Sequence, residues 1–110
     1  MKSQHEFFTA SDLPWTDGGQ GISQRVLSND PADGTLTRIA KWAPGTISGD
    51  EVIRHAYFEE VYLLEGTLTD LTLGKTFGPG DYAARRPGMP HGPYRTGEGC
   101  TMLEIRYRIS

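Results

Sequence analysis

Turn-forming residues recur so evenly along this chain that no stretch between them has room for a substantial helix. Fourteen glycines and seven prolines are spread over 110 residues, and the runs they bound are short and β-like. "ISQRVLS" (22–28) stops at the turn-rich "NDPADG", and "TLTRIAKW" (35–42) stops at "APG". "EVIRHA" (51–56) and "EVYLLEGTLTDL" (60–71) follow, the second interrupted at Gly66, where a bulge or bend is expected. "DYAARR" (81–86) sits between "FGPG" and "PGMPHGP". The last run, "CTMLEIRYRIS", alternates: Thr101, Leu103, Ile105, Tyr107 and Ile109 form a mostly apolar face, which sets Glu104, Arg106 and Arg108 on the other. Seven or eight short strands closed by turns predict an all-β antiparallel sandwich or small barrel. Residues 1–21 read mostly as loop, with a single helical turn at most around Ser11-Asp12-Leu13-Pro14, and the β domain occupies 22–110.

Composition removes several functional classes. A net charge of −3 leaves no basic footprint for nucleic acid. The first residues hold no apolar run of signal-peptide length, and nothing approaches the ~20 apolar residues of a membrane helix, so a soluble cytoplasmic protein is expected. The single cysteine, Cys100, excludes an internal disulfide and any multi-cysteine zinc cluster.

The chemistry concentrates in two stretches. In "RHAYFEEVYLLEG" (54–66) a histidine precedes two glutamates. On a straight strand His55 and Glu59 would stand about 13 Å apart, at ~3.3 Å per residue, too far to share an ion whose ligands lie within ~2–2.5 Å of it. A hairpin turning at Ala56-Tyr57-Phe58 brings them together. Side-chain parity lets only one of Glu59 and Glu60 face inward, and a one-residue slip exchanges them. In "PGDYAARRPGMPHGP" (79–93) two turns bracket a short strand and present His91. Two imidazoles and a carboxylate with open positions form the set used by non-haem iron(II) oxygenases, and the same set suits manganese, nickel or zinc.

Together the two stretches resemble the paired motifs of the cupin superfamily: a His-x-His with a following glutamate and glycine, then Pro-Gly-Asp, a short strand, a proline turn and a histidine. With "LPW", "TRIAKWAPG", "EEVYLLEG", "PHGP" and "GEGC", the wider pattern resembles the ChrR-type branch, the cupin domain of zinc-binding anti-sigma factors. The resemblance implies a cupin β-barrel or jelly roll, pairing as a homodimer. It implies Glu59 as the metal-binding glutamate, since Glu59 lies seven residues before Gly66, and His55 and His91 as the other ligands. Ile53 stands where the family has its first histidine. The implied activity is that of a divalent-metal-dependent enzyme on a small organic molecule, of dioxygenase type; the alternative is a non-catalytic ligand-binding or sensory module. Tyr57 is a candidate fourth ligand or proton donor, and Glu60 or Glu104 a candidate general base.

The remaining polar and aromatic residues are expected to be structural. Arg85 and Arg86 point to opposite faces, so one could meet an anionic ligand, but they read first as a solvated pair, and Arg54, Glu104 and Arg106 read as outer-face charges. Trp15 and Trp42 read as packing aromatics, Cys100 as a small buried residue, and His5 as solvated.

Overall fold

The glycine- and aspartate-rich stretches do terminate strands. The computed structural model describes residues 1–108, in which nine strands follow a short 3-10 helix at Ala10–Asp12. The strands are β1 (Thr16–Gly19), β2 (Ile22–Asp30), β3 (Thr35–Trp42), β4 (Phe58–Gly66), β5 (Leu68–Asp70), β6 (Lys75–Phe77), β7 (Tyr82–Arg85), β8 (Tyr94–Arg95) and β9 (Cys100–Tyr107). Aspartates close two of the turns through local hydrogen bonds that compete with continued strand. Asp30 accepts the Gly34 N–H on its carbonyl and the Ala32 N–H on its side chain. Asp70 repeats the device with Gly74, Thr72 and Leu73.

Two sheets face each other. The larger has the order β1-β2-β3-β9-β4-β7 and the smaller β6-β5-β8, antiparallel throughout. This is the antiparallel two-sheet barrel that the turn spacing predicts. Between the sheets lie Trp42, Val61, Leu63, Leu68, Tyr94, Cys100 and Met102, with Ile22, Ile53 and Phe77 packed at the edge. The change of sheet within the run 60–71 happens at Gly66, whose φ of +73° permits the bend. Among the described residues no helix is long and apolar enough to cross a membrane.

Four expectations need correction. Residues 51–56 form no strand; only Ile53 makes an isolated bridge, to His91. Residues 16–19, within the segment read mostly as loop, form β1 and pair with β2. Arg85 is not solvated: it turns inward and only Arg86 is exposed. Most consequentially, β9 lies the other way round. Cys100, Met102 and Glu104 are buried, while Thr101, Leu103, Ile105 and Tyr107 are only partly covered. Ile109, the last residue of the expected apolar face, lies outside the described residues. Both faces of this strand carry apolar side chains, so alternation alone could not choose between them.

Candidate metal centre

Strand register assembles a charged interior at one end of the barrel. On β4 the odd residues Glu59, Val61 and Leu63 are buried. Glu59 sits directly opposite Arg85 of β7 and Arg106 of β9, so an arginine flanks it on either side. Arg85 Nη1 donates to Glu59 Oε1 at 2.7 Å, and Arg106 Nε lies 3.5 Å from Oε2. One rung away, Arg38 of β3 faces Glu104 of β9, and its Nε donates to Glu104 Oε2 at 2.7 Å while Nη1 donates to Gln24 at 2.7 Å. Glu104 and Arg106, expected on the outer face, are therefore interior residues. Their parity with the buried Cys100 and Met102 was the one signal that could have found them.

The histidines arrive from loops. The chain bends at Ala56-Tyr57, and this corner, rather than a hairpin, turns His55 back toward β4. Its carbonyl accepts the Gly88 N–H at 2.8 Å. His91 is fixed by two backbone hydrogen bonds with Ile53, at 2.7 and 3.0 Å, so the residue in the first-histidine position serves to anchor the second motif. As a result, donor atoms of His55, Glu59 and His91 all lie within 4.8 Å of one another, with His55 Nε2 4.0 Å from Glu59 Oε2.

The protonation states suit metal binding. Burial pushes the His91 imidazole down to about 4, helped by the Arg85 guanidinium. Burial also lowers His55, against the opposing pull of Glu59. Both shifts favour the neutral imidazole, the form in which a metal ligand binds. His91 Nδ1 lies 3.2 Å from Tyr94 Oη, which accepts from Arg85 Nη2 at 2.6 Å. Glu59, Arg85, Tyr94 and His91 thus form one hydrogen-bonded chain. His91 Nε2 is buried and has no partner among the described residues; in the tautomer in which Nδ1–H donates to Tyr94, that nitrogen carries the lone pair. An orphaned imidazole nitrogen beside a second imidazole and a carboxylate fits a divalent cation.

The two residues expected to be catalytic are placed differently. Tyr57 stacks on His55, ring centroids 4.5 Å apart and 14° from parallel, with the Arg106 guanidinium 5.1 Å from its own centroid. It braces the imidazole. Glu60 points to the outer face and accepts from Tyr82 at 2.5 Å, so the structure does not bring it to the other three. Glu60→Gln is accordingly expected to leave metal stoichiometry unchanged, as read by elemental analysis of the purified variant. Burial pushes the Cys100 thiol up to about 11, which leaves little thiolate at neutral pH.

Beside the trio lies a cavity of about 170 Å³, bounded among others by Trp42, Ile53, His55, Glu59, His91 and Arg106. A wider depression of about 400 Å³, with Val52, Leu73 and Met89 at its rim, shares Arg85, His91 and Tyr94 with it.

Comparison with known proteins agrees with this architecture. No curated protein matches the chain in sequence. Among solved structures, an RmlC-like cupin from Shewanella frigidimarina superposes with a TM-score of 0.76 at 20% identity, over 96% of this chain and 91% of that one. An acetylacetone dioxygenase from Acinetobacter johnsonii gives 0.74 at 18% identity, over 98% and 80%. The complex of Rhodobacter sphaeroides SigE with the anti-sigma ChrR gives 0.65 at 22% identity, over 90% of this chain and 51% of that one. At these identities the likeness establishes the fold. The family model of the ChrR cupin-like domain matches residues 3–108, nearly the whole sequence, and the chain therefore belongs to the ChrR cupin-like family.

Proposed function

We propose that this protein is a divalent-metal-dependent cupin in which His55, Glu59 and His91 hold the ion, and that it acts on a small organic molecule by dioxygenase-type chemistry. The observation that carries the reading is the convergence of three donors, two imidazoles and a carboxylate, with one imidazole nitrogen buried and unpartnered among the described residues. A bound divalent ion supplies Lewis-acid polarisation of a chelating substrate or, as iron(II), reactivity toward dioxygen. The chain's own residues do the rest. Arg85 and Tyr94 hold Glu59 and His91 in register, Tyr57 braces His55, and the core around Val61, Leu63 and Met102 keeps water away from the inner side. The same fold carries a dioxygenase in the Acinetobacter johnsonii structure.

One observation favours a second reading, a ligand-binding module without turnover. The hydrogen bond from Arg85 to Glu59 draws electron density from the only carboxylate of the trio, and Ile53 supplies no replacement donor. Metal content after reconstitution with iron(II), manganese, nickel or zinc separates the two. The wild type is expected to retain about one ion per chain. His91→Ala should bind it more than ~100-fold more weakly, because changes merely behind a ligand already cost 10–100-fold. A wild-type protein that takes up none of the four ions overturns the metalloenzyme reading. Oxygen consumption with β-diketone or catechol-like compounds then tests the chemistry, and a module would bind such compounds without consuming them.

A further inference from the structure

Three loops that would ordinarily present polar residues carry large apolar ones instead. Val52, Leu73 and Met89 are 46%, 62% and 46% exposed, within "SGDEV", "DLTLG" and "PGMP". Stretches of that composition form surface turns, where polar side chains are the rule. The three are separated along the chain, yet all three side chains border the same depression of about 400 Å³. A single apolar residue at a surface needs no explanation, whereas several gathered around one opening mark a binding site.

The depression forms where the two sheets part. β6 ends the smaller sheet and β7 ends the larger, so no ladder of hydrogen bonds joins them among the described residues. The lining grades inward from the exposed rim, through the half-buried Phe77 of β6 and Ala83 of β7, to Arg85, His91 and Tyr94. These last three are nearly covered and also border the inner cavity beside Glu59. An apolar approach therefore ends at the wall of the metal trio.

The polar groups at that inner end restrict the ligand. Arg85 donates to Glu59 and to Tyr94, and a guanidinium carries more N–H donors than these bonds use. Its charge, however, is already paired with Glu59. Spare donors without an unpaired charge suit a neutral carbonyl oxygen better than an anion. Asp70, the other charged residue of the lining, accepts from Thr72 and Leu73 in its own turn. Size sets the rest: about 400 Å³ corresponds to roughly 13 non-hydrogen atoms at the ~30 Å³ that each water occupies, within the usual range of small-molecule pockets.

We infer that the depression holds the hydrocarbon tail of an uncharged carbonyl compound, with the oxygen end toward Arg85 and His91. This names the substrate class of the proposed metal site and rests on that reading for turnover; binding of the tail rests on the lining alone.

NMR titration with butan-2-one, hexan-2-one and octan-2-one tests it, in chelator-treated and in metal-reconstituted protein. Affinity is expected to rise ~3-fold per added methylene, or about 80-fold across the series, as burial of each group predicts. Octanoate, with a chain of the same length and a charged end, should bind no more tightly than octan-2-one. Leu73→Gln and Met89→Gln keep side-chain length at exposed positions and remove the apolar surface. Each should weaken octan-2-one ~5-fold or more while changing butan-2-one less than ~2-fold. Flat affinity across the series in the wild type overturns the inference without depending on any variant. So does a chain-length dependence that both variants leave unchanged, and tighter octanoate overturns the uncharged head. If sedimentation instead shows a dimer that Leu73→Gln dissociates, with flat ketone binding, the rim belongs to a contact between copies of this chain and the inference fails. Stoichiometric metal with a flat series refutes the tail site and leaves the metal centre standing; graded binding by a protein that takes up no metal does the reverse.

Discussion

Replacing Glu104 with leucine destabilises the protein by about 3–5 kcal/mol, the cost of leaving a buried charge without its partner. Arg38 and Glu104 have side chains only 10% and 9% exposed, joined at 2.7 Å across directly paired positions of β3 and β9. Leucine fills most of the volume, so the loss measures the stranded guanidinium rather than a cavity. Replacing both residues, Arg38→Met with Glu104→Leu, should recover most of that loss, because an apolar pair of similar size removes both desolvation penalties. Urea denaturation of the two single variants and the double variant gives the coupling energy directly. If the double variant is no more stable than Glu104→Leu, the stranded charge is not the cause. The Gln24 amide, which accepts from Arg38, would then be the next partner to examine.

Gly66→Ala is expected to cost about 4 kcal/mol or more, among the larger effects a single methyl can have. Two terms combine. At φ +73° an L-residue pays roughly 1–2 kcal/mol for the left-handed conformation. Beyond that, the added carbon would stand 2.0 Å from the Gly99 carbonyl oxygen and 2.8 Å from the Cys100 Cα, both backbone atoms, so β4 and β9 must separate where the chain leaves the larger sheet. Gly74 provides the control, with φ +66° and no atom within 4 Å of the added carbon. Gly74→Ala should lose only the conformational ~1–2 kcal/mol. Equal losses at the two positions, in denaturation midpoints, would show that backbone conformation alone matters and that the close approach is harmless.

Both predictions rest on residues the sequence made visible to different degrees. Gly66 stood out because it interrupts an apolar run, and a bend there followed from its freedom at positive φ. The pair Arg38–Glu104 did not stand out. Each is a charged residue on an alternating strand, and such residues ordinarily face water. Among the candidate ligands, His55, Glu59 and His91 were legible through spacing and family resemblance, and the structure brings them together. Parity allowed only one of Glu59 and Glu60 inside without saying which; the family resemblance, through the spacing to Gly66, picked Glu59, and β4 turns Glu60 outward toward Tyr82. Tyr57 was visible as a neighbour of the site, but its stacking on His55 depends on a corner whose angle no local preference dictates.

What the sequence determined by itself was the spacing of its turns, and with that an antiparallel all-β chain, together with the residues able to hold a metal ion. Those properties are local, set by backbone freedom at glycine and proline and by the chemistry of single side chains. The tertiary structure decided which side of each strand became the inside. β3 and β9 are far apart in sequence, and their register places Arg38 against Glu104; the pairing of β4 with β7 and β9 places Glu59 between Arg85 and Arg106. Because strand side chains alternate with a period of two, β9 could bury either Met102 and Glu104 or Leu103 and Ile105. Long-range pairing chose the first, and so put charge inside the barrel.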